Sequence, residues 1–117
     1  MTENEMKART KAFALRLIKV ATVLSEDAVG RRLGDQLLRS GTSVAANYRA
    51  ACRARSKADF LSKLGIAEEE ADESMFWMEL LVESGLMPAG KLRELIDEAN
   101  QLTAIIVASR KTGGKHM

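Results

Sequence analysis

Between Gln36 and Trp77 the chain reads QLLRSGTSVAANYRAACRARSKADFLSKLGIAEEEADESMFW, and this stretch holds most of the groups that could do chemistry. Five arginines, Arg31, Arg32, Arg39, Arg49 and Arg53, fall within an arc of about 100° if one continuous helix carries them, each residue turning by about 100°. Arg55 and Lys57 extend the charge into the following turn. A guanidinium is a planar fork that grips a phosphate with two parallel hydrogen bonds, so such a row suits a nucleic-acid backbone. The plainer reading is a solvated face, or ion pairs with the acidic segment that follows. Asp35 lies among the arginines and favours that plainer reading.

The acidic run Glu68, Glu69, Glu70, Asp72 and Glu73 raises metal binding and acid–base catalysis. Di-iron helical bundles pair glutamates with histidines at Glu-x-x-His spacing, and the one histidine is His116, near the C-terminus. A carboxylate-only magnesium site is the remaining metal option. No nucleophilic triad can be assembled, and neither a phosphate-binding glycine loop nor a dinucleotide fingerprint is present. We therefore expect no catalytic residue, no metal ligand and no cofactor. Aromatic residues are 4% of the chain, too few for a base-stacking platform, so any nucleic-acid binding should be directed at the backbone and weaken with salt.

With 117 residues the chain suits one domain. The single Cys52 has no disulfide partner within the chain, which fits a reducing compartment, and it falls on the apolar side of its segment as core filler. The polar, charged N-terminus does not read as a signal peptide, and no apolar run reaches the roughly 18 residues that span a bilayer. A cytoplasmic protein without membrane contact is expected. The net charge of +2 conceals polarity: residues 1–57 hold 12 Lys and Arg against 5 Asp and Glu, and residues 58–117 hold 6 against 11. Either a charged face for a polyanion or pairing between helices would account for it.

These residues must be positioned by helices. Apolar residues recur at helical spacing in four blocks, over about 4–25, 29–53, 57–84 and 88–110, in one domain of residues 1–112 with a flexible tail at 113–117. Thr2 and Ser56 read as N-caps, Gly85 as a C-terminal stop and Pro88 as a first-turn residue. The core stripes are Phe13, Leu17, Val20 and Leu24; then Leu33, Leu37, Gly41, Val44, Tyr48 and Ala51. The third is Phe60, Leu64, Ala67, Ala71, Met75, Met78 and Val82; the fourth is Leu92, Leu95, Ala99, Leu102 and Ile106. Gly41 on a buried stripe implies close approach by another helix, with a local break as the alternative. The fold class is all-α: an antiparallel up-down-up-down four-helix bundle. Leu15, Ile18, Ile66, Trp77 and Leu80 fall off these stripes, and clustered exposed apolar residues mark a protein contact, so self-association or an adaptor role with a protein partner is expected.

The segment Gln36–Arg49, with Ser56–Leu64 and Glu69–Leu81 after it, resembles the signature of the small four-helix-bundle proteins also called 23S rRNA intervening-sequence proteins. The resemblance spans roughly residues 11–110. It implies an antiparallel bundle that assembles as a homopentameric ring. Some members are encoded within 23S rRNA genes, and a related branch, the accessory proteins of diversity-generating retroelements, binds nucleic acid. Arg39, Ser40, Ser43, Asn47, Asp59 and Glu70 fall on signature positions. Ala50 stands where many members carry a glutamate, which removes a negative charge near Arg49 and Arg53.

Overall fold

Three of the four helices begin on a side-chain oxygen that takes up a backbone N–H left without an intrahelical partner. Thr2 Oγ1 accepts from Glu5 N at 3.1 Å and opens α1 (Glu3–Leu24). Asp27 Oδ2 accepts from Gly30 N at 2.7 Å and opens α2 (Ala28–Cys52), a cap the sequence pattern had not singled out. Ser56 Oγ accepts from Asp59 N at 3.0 Å and opens α3 (Lys57–Glu83). Gly85, at φ +80°, takes the left-handed conformation that ends α3, and Met87 N donates back to Leu81 O at 3.0 Å. Pro88 then leads into α4 (Ala89–Gly113).

The structure is a computed structural model that describes residues 1–113, and no strand occurs among them. Its extents are 46 × 20 × 19 Å. α2 packs on α1 and α3, and α3 packs on α4; α1 meets α4 along the thinnest seam, and no Cα of α1 comes within 8 Å of one in α3. Across the α1–α4 seam Arg9 pairs with Glu98 and Arg16 with Glu94, so the pairing climbs one helix as it descends the other. α4 runs on to Gly113, inside the stretch expected to be tail, and Gly113 lies so close to the Phe60 ring that a Cβ there would overlap it. The rest of that expected tail, residues 114–117 with His116, lies outside the described residues.

The core stripes of α1 and α4 are buried as their spacing predicts. On α3 the inward face is rotated. Met75 and Val82 are only half-buried, and Ser74 and Leu81 take the inward places, in a 64, 67, 71, 74, 78, 81 sequence. That alternation of three and four is the 3.5-residue spacing of a supercoiled seam. The small Ser74 hydroxyl reaches the Ser40 hydroxyl of α2 at 2.9 Å, with both residues fully buried. A larger side chain at 74 would hold the two helices apart.

α2 runs unbroken through Ser40 and Gly41. The close approach expected at Gly41 is made by a side chain: a Cβ there would overlap Leu17 Cδ1 of α1. Leu17 is itself fully buried, so it has little room to move aside. Gly41→Val is expected to lower stability by about 1–3 kcal/mol, the usual cost of overpacking, despite a helix-propensity gain below about 1 kcal/mol. Thermal unfolding followed by circular dichroism checks this. A melting temperature at or above the parent's would contradict it.

Candidate nucleic-acid interface

A continuous α2 carries four of the five arginines and Arg53 is its C-cap residue, but the fold divides them into groups with different surroundings. Arg39 leans onto α3, where its guanidinium bonds Glu70 at 3.0 Å and Glu73 at 2.5 Å. The Glu73 hydrogen bond, joined by the charges of both carboxylates, pushes Arg39 above the ordinary guanidinium range. Trp77 Nε1 donates to the same Glu73 at 3.2 Å. Arg39 is thus paired with α3 in the single chain, with about half of its side chain exposed (49%).

Arg49 and Arg53 are placed differently. They lie one turn apart, both exposed, and face α1. On α1, Lys7 and Lys11 repeat the same one-turn spacing. The four cations line a groove of about 360 Å³ floored by Ala45 and Ala46. A second groove shares both lysines and adds Ala8, Ala12 and Leu15. None of the four enters an ion pair among the described residues. Arg31 and Arg32 are exposed near the other end of α2, about 27 Å from Arg49 along the axis at 1.5 Å per residue. Arg55 and Lys57 are exposed at the start of α3. Lys7 and Lys11 were not among the candidates drawn from sequence. Their spacing was visible, but which side of α1 turns toward α2 depends on packing.

The acidic run disperses. Glu70 and Glu73 go to Arg39 of α2, and Glu68 goes to Arg110 of α4, while Glu69 and Asp72 stay exposed. Among the described residues no three His, Cys, Asp or Glu side chains converge where a metal ion could sit. A further bidentate pair holds α1 to α4: Arg9 bonds Glu98 at 2.6 and 2.7 Å and Gln101 at 2.6 Å. Pairing between helices therefore uses Arg9, Arg16 and Arg39 from the positive charge of residues 1–57, and four of the remaining cations line the α1–α2 groove.

The signature polar residues are largely occupied with the fold. Ser40 joins Ser74, and Asn47 Nδ2 donates to the carbonyl and the hydroxyl of Ser43, each at 2.9 Å. Asp59 is exposed in the first turn of α3, and Ala50 is half-buried. Of the apolar residues expected outside the core, Leu15 is 55% exposed, Ile18 42% and Ile66 37%. Trp77 and Leu80 differ from that expectation, since both are half-buried in the single chain. Trp77 packs against the core edge, bonds Glu73 and meets Phe76 edge-on at 5.2 Å. Phe76, which the stripe pattern had not singled out, is the exposed aromatic at 50%.

Tyr48 and Cys52 line a separate opening at one end of the bundle with Met1, Glu3 and Phe60. Burial pushes both the phenol and the thiol up, so neither is a ready nucleophile at neutral pH.

The model of a protein family described as 23S rRNA-intervening sequence protein matches residues 2–108. Among solved structures, a crystal structure of a protein of unknown function from the S23 ribosomal protein family of Bacteroides thetaiotaomicron superposes with a TM-score of 0.90. The two are 32% identical, over 96% of this chain and 100% of that one. No curated protein matches the chain.

Because the folded Cys52 thiol ionises above its ordinary value of 9.0, the unfolded thiol loses its proton first as pH rises. The stability this group contributes is complete below that value and declines as pH climbs through it. Alkylation by iodoacetamide at pH 8 is expected to be slower in the native protein than in urea-unfolded chain. Equal rates would contradict burial of the thiol.

Proposed function

The chain belongs to the 23S rRNA-intervening sequence protein family, and from that premise we propose a non-enzymatic, cytoplasmic, self-assembling bundle that binds RNA or other nucleic acid through its phosphate backbone. The observation that carries this reading is the α1–α2 groove, where Lys7, Lys11, Arg49 and Arg53 converge and none of them makes an ion pair among the described residues. Four cations around a floor of alanines favour a polyanion and read no base edge. No helix of the described residues is long and apolar enough to cross a membrane.

The assembly is an antiparallel up-down-up-down bundle repeated in a homopentameric ring. The opposed register of the Arg9–Glu98 and Arg16–Glu94 pairs supports the bundle topology. Two faces support the ring. On α1, exposed Leu15 and Ile18 stand beside Lys19; on α3, exposed Ile66 and Phe76 stand beside Glu69. α1 and α3 are not adjacent in the bundle, so these faces lie on separate sides of one chain. A basic apolar face on one copy against an acidic apolar face on the next is a head-to-tail contact, the kind that closes into rings. The same exposed residues favour a second reading, a protein adaptor with no nucleic-acid role.

Fluorescence anisotropy with a short RNA tests the first reading. Binding at about 50 mM salt should weaken about 50- to 150-fold by 200 mM if each protomer neutralises four phosphates. Arg49→Ala with Arg53→Ala should weaken binding strongly, and Arg39→Ala should leave it near the parent's. No binding at the lower salt, or a double variant equal to the parent, would defeat it. For the assembly, the parent is expected at a multiple of 12.8 kDa by light scattering, and Ile18→Glu at a lower mass with unchanged helix content. A monomeric parent would rule out the ring.

A further inference from the structure

We propose that the α1–α2 groove takes double-stranded nucleic acid, of either sugar, in preference to a single strand; this rests on the nucleic-acid reading given above. Single-strand binders add stacking on aromatic side chains to their charge, at about 1–3 kcal/mol per base. This groove has no such platform. Its lining is Lys7, Lys11, Ala45, Ala46, Arg49 and Arg53. Among the aromatic residues, Phe13 and Tyr48 are buried in the core and Phe60 is half-buried, while Phe76 and Trp77 belong to α3, which does not line the groove. The nearby Asn47 amide donates both to the carbonyl and to the hydroxyl of Ser43, so its N–H groups are taken up within α2.

Charge alone therefore chooses the ligand, and charge favours the denser polyanion. A duplex releases about 0.9 counterion per phosphate neutralised and a single strand about 0.7. Over four contacts the difference is about 0.8 in the slope of log affinity against log salt, which amounts to about tenfold between 1 M and 50 mM salt. Ordering adds to this. Two packed helices hold the four cations in a fixed frame, a duplex arrives already stiff, and a flexible strand must be ordered with no stacking to offset the entropy. Nothing in the lining is placed to single out a 2′-hydroxyl, so RNA and DNA duplexes should bind alike.

Three ligands test this by anisotropy at about 50 mM salt: an unstructured 20-nucleotide RNA, its RNA duplex and the matching DNA duplex. The expected result is both duplexes about tenfold tighter than the strand and within a few-fold of one another. Lys7→Gln with Lys11→Gln should leave the helices intact by circular dichroism and reduce the duplex salt slope by about 1.8. If none of the three ligands binds, the nucleic-acid reading itself fails. A strand that binds as tightly as the duplexes would leave that reading standing and overturn the preference. A gap of more than tenfold between the duplexes would overturn the indifference to sugar. An unchanged slope in the lysine variant would place the duplex elsewhere and overturn the groove.

Discussion

Everything on the outside of this bundle depends on how closely α1 can lie against α2. The side of α2 that faces α1 carries glycine at three places. A Cβ at Gly41 would collide with Leu17, one at Gly34 would just touch Ala21 and Leu24, and one at Gly30 would crowd the Leu24 carbonyl. Glycine at each place costs about 1 kcal/mol of helix propensity relative to alanine. In return Leu17 seats fully in the core and the two helices stand close enough for Lys7 and Lys11 to share one groove with Arg49 and Arg53. Closeness inside thus sets the spacing of charge outside.

The opposite flank of α2 is governed by neutralisation. The Ser40–Ser74 hydrogen bond fixes α3 beside α2, and from that register Glu70 and Glu73 meet Arg39. Exposed ion pairs of this kind add little to stability. Their larger effect is to offset the charge of Arg39, while Arg49 and Arg53 on the α1 side have no ion-pair partner among the described residues. The same chain therefore answers both accounts of its charge polarity, with pairing on one flank and an unmatched groove on the other.

Much of this was legible in the sequence, and the rest was lost for identifiable reasons. Helix number, the caps at Thr2 and Ser56 and the stop at Gly85 follow from local chemistry, and local chemistry decided them. The α3 stripe went astray because the apolar Met75 and Val82 look more like core than Ser74 does. The small serine is inward because it has a hydroxyl partner on α2, which no single helix reveals. The arginine arc was visible on a helical wheel, yet its division was not, since a wheel does not show that acids of α3 stand over Arg39. Lys7 and Lys11 escaped for the complementary reason: an exposed lysine pair means little until the neighbouring helix supplies a second pair. Trp77 is half-buried in the single chain because its indole lies at the edge of the inward face, where packing against the core and a bond to Glu73 shelter part of it.

The central claim is that ligand meets this protein at the α1–α2 groove. Lysine acetylation footprinting by mass spectrometry, with and without a nucleic-acid duplex, tests it directly, because two groove cations are lysines and other lysines serve as internal controls. The account predicts strong protection of Lys7 and Lys11 and unchanged labelling of Lys91 and Lys111 on α4. Equal protection at all four, or protection on α4 alone, would contradict it.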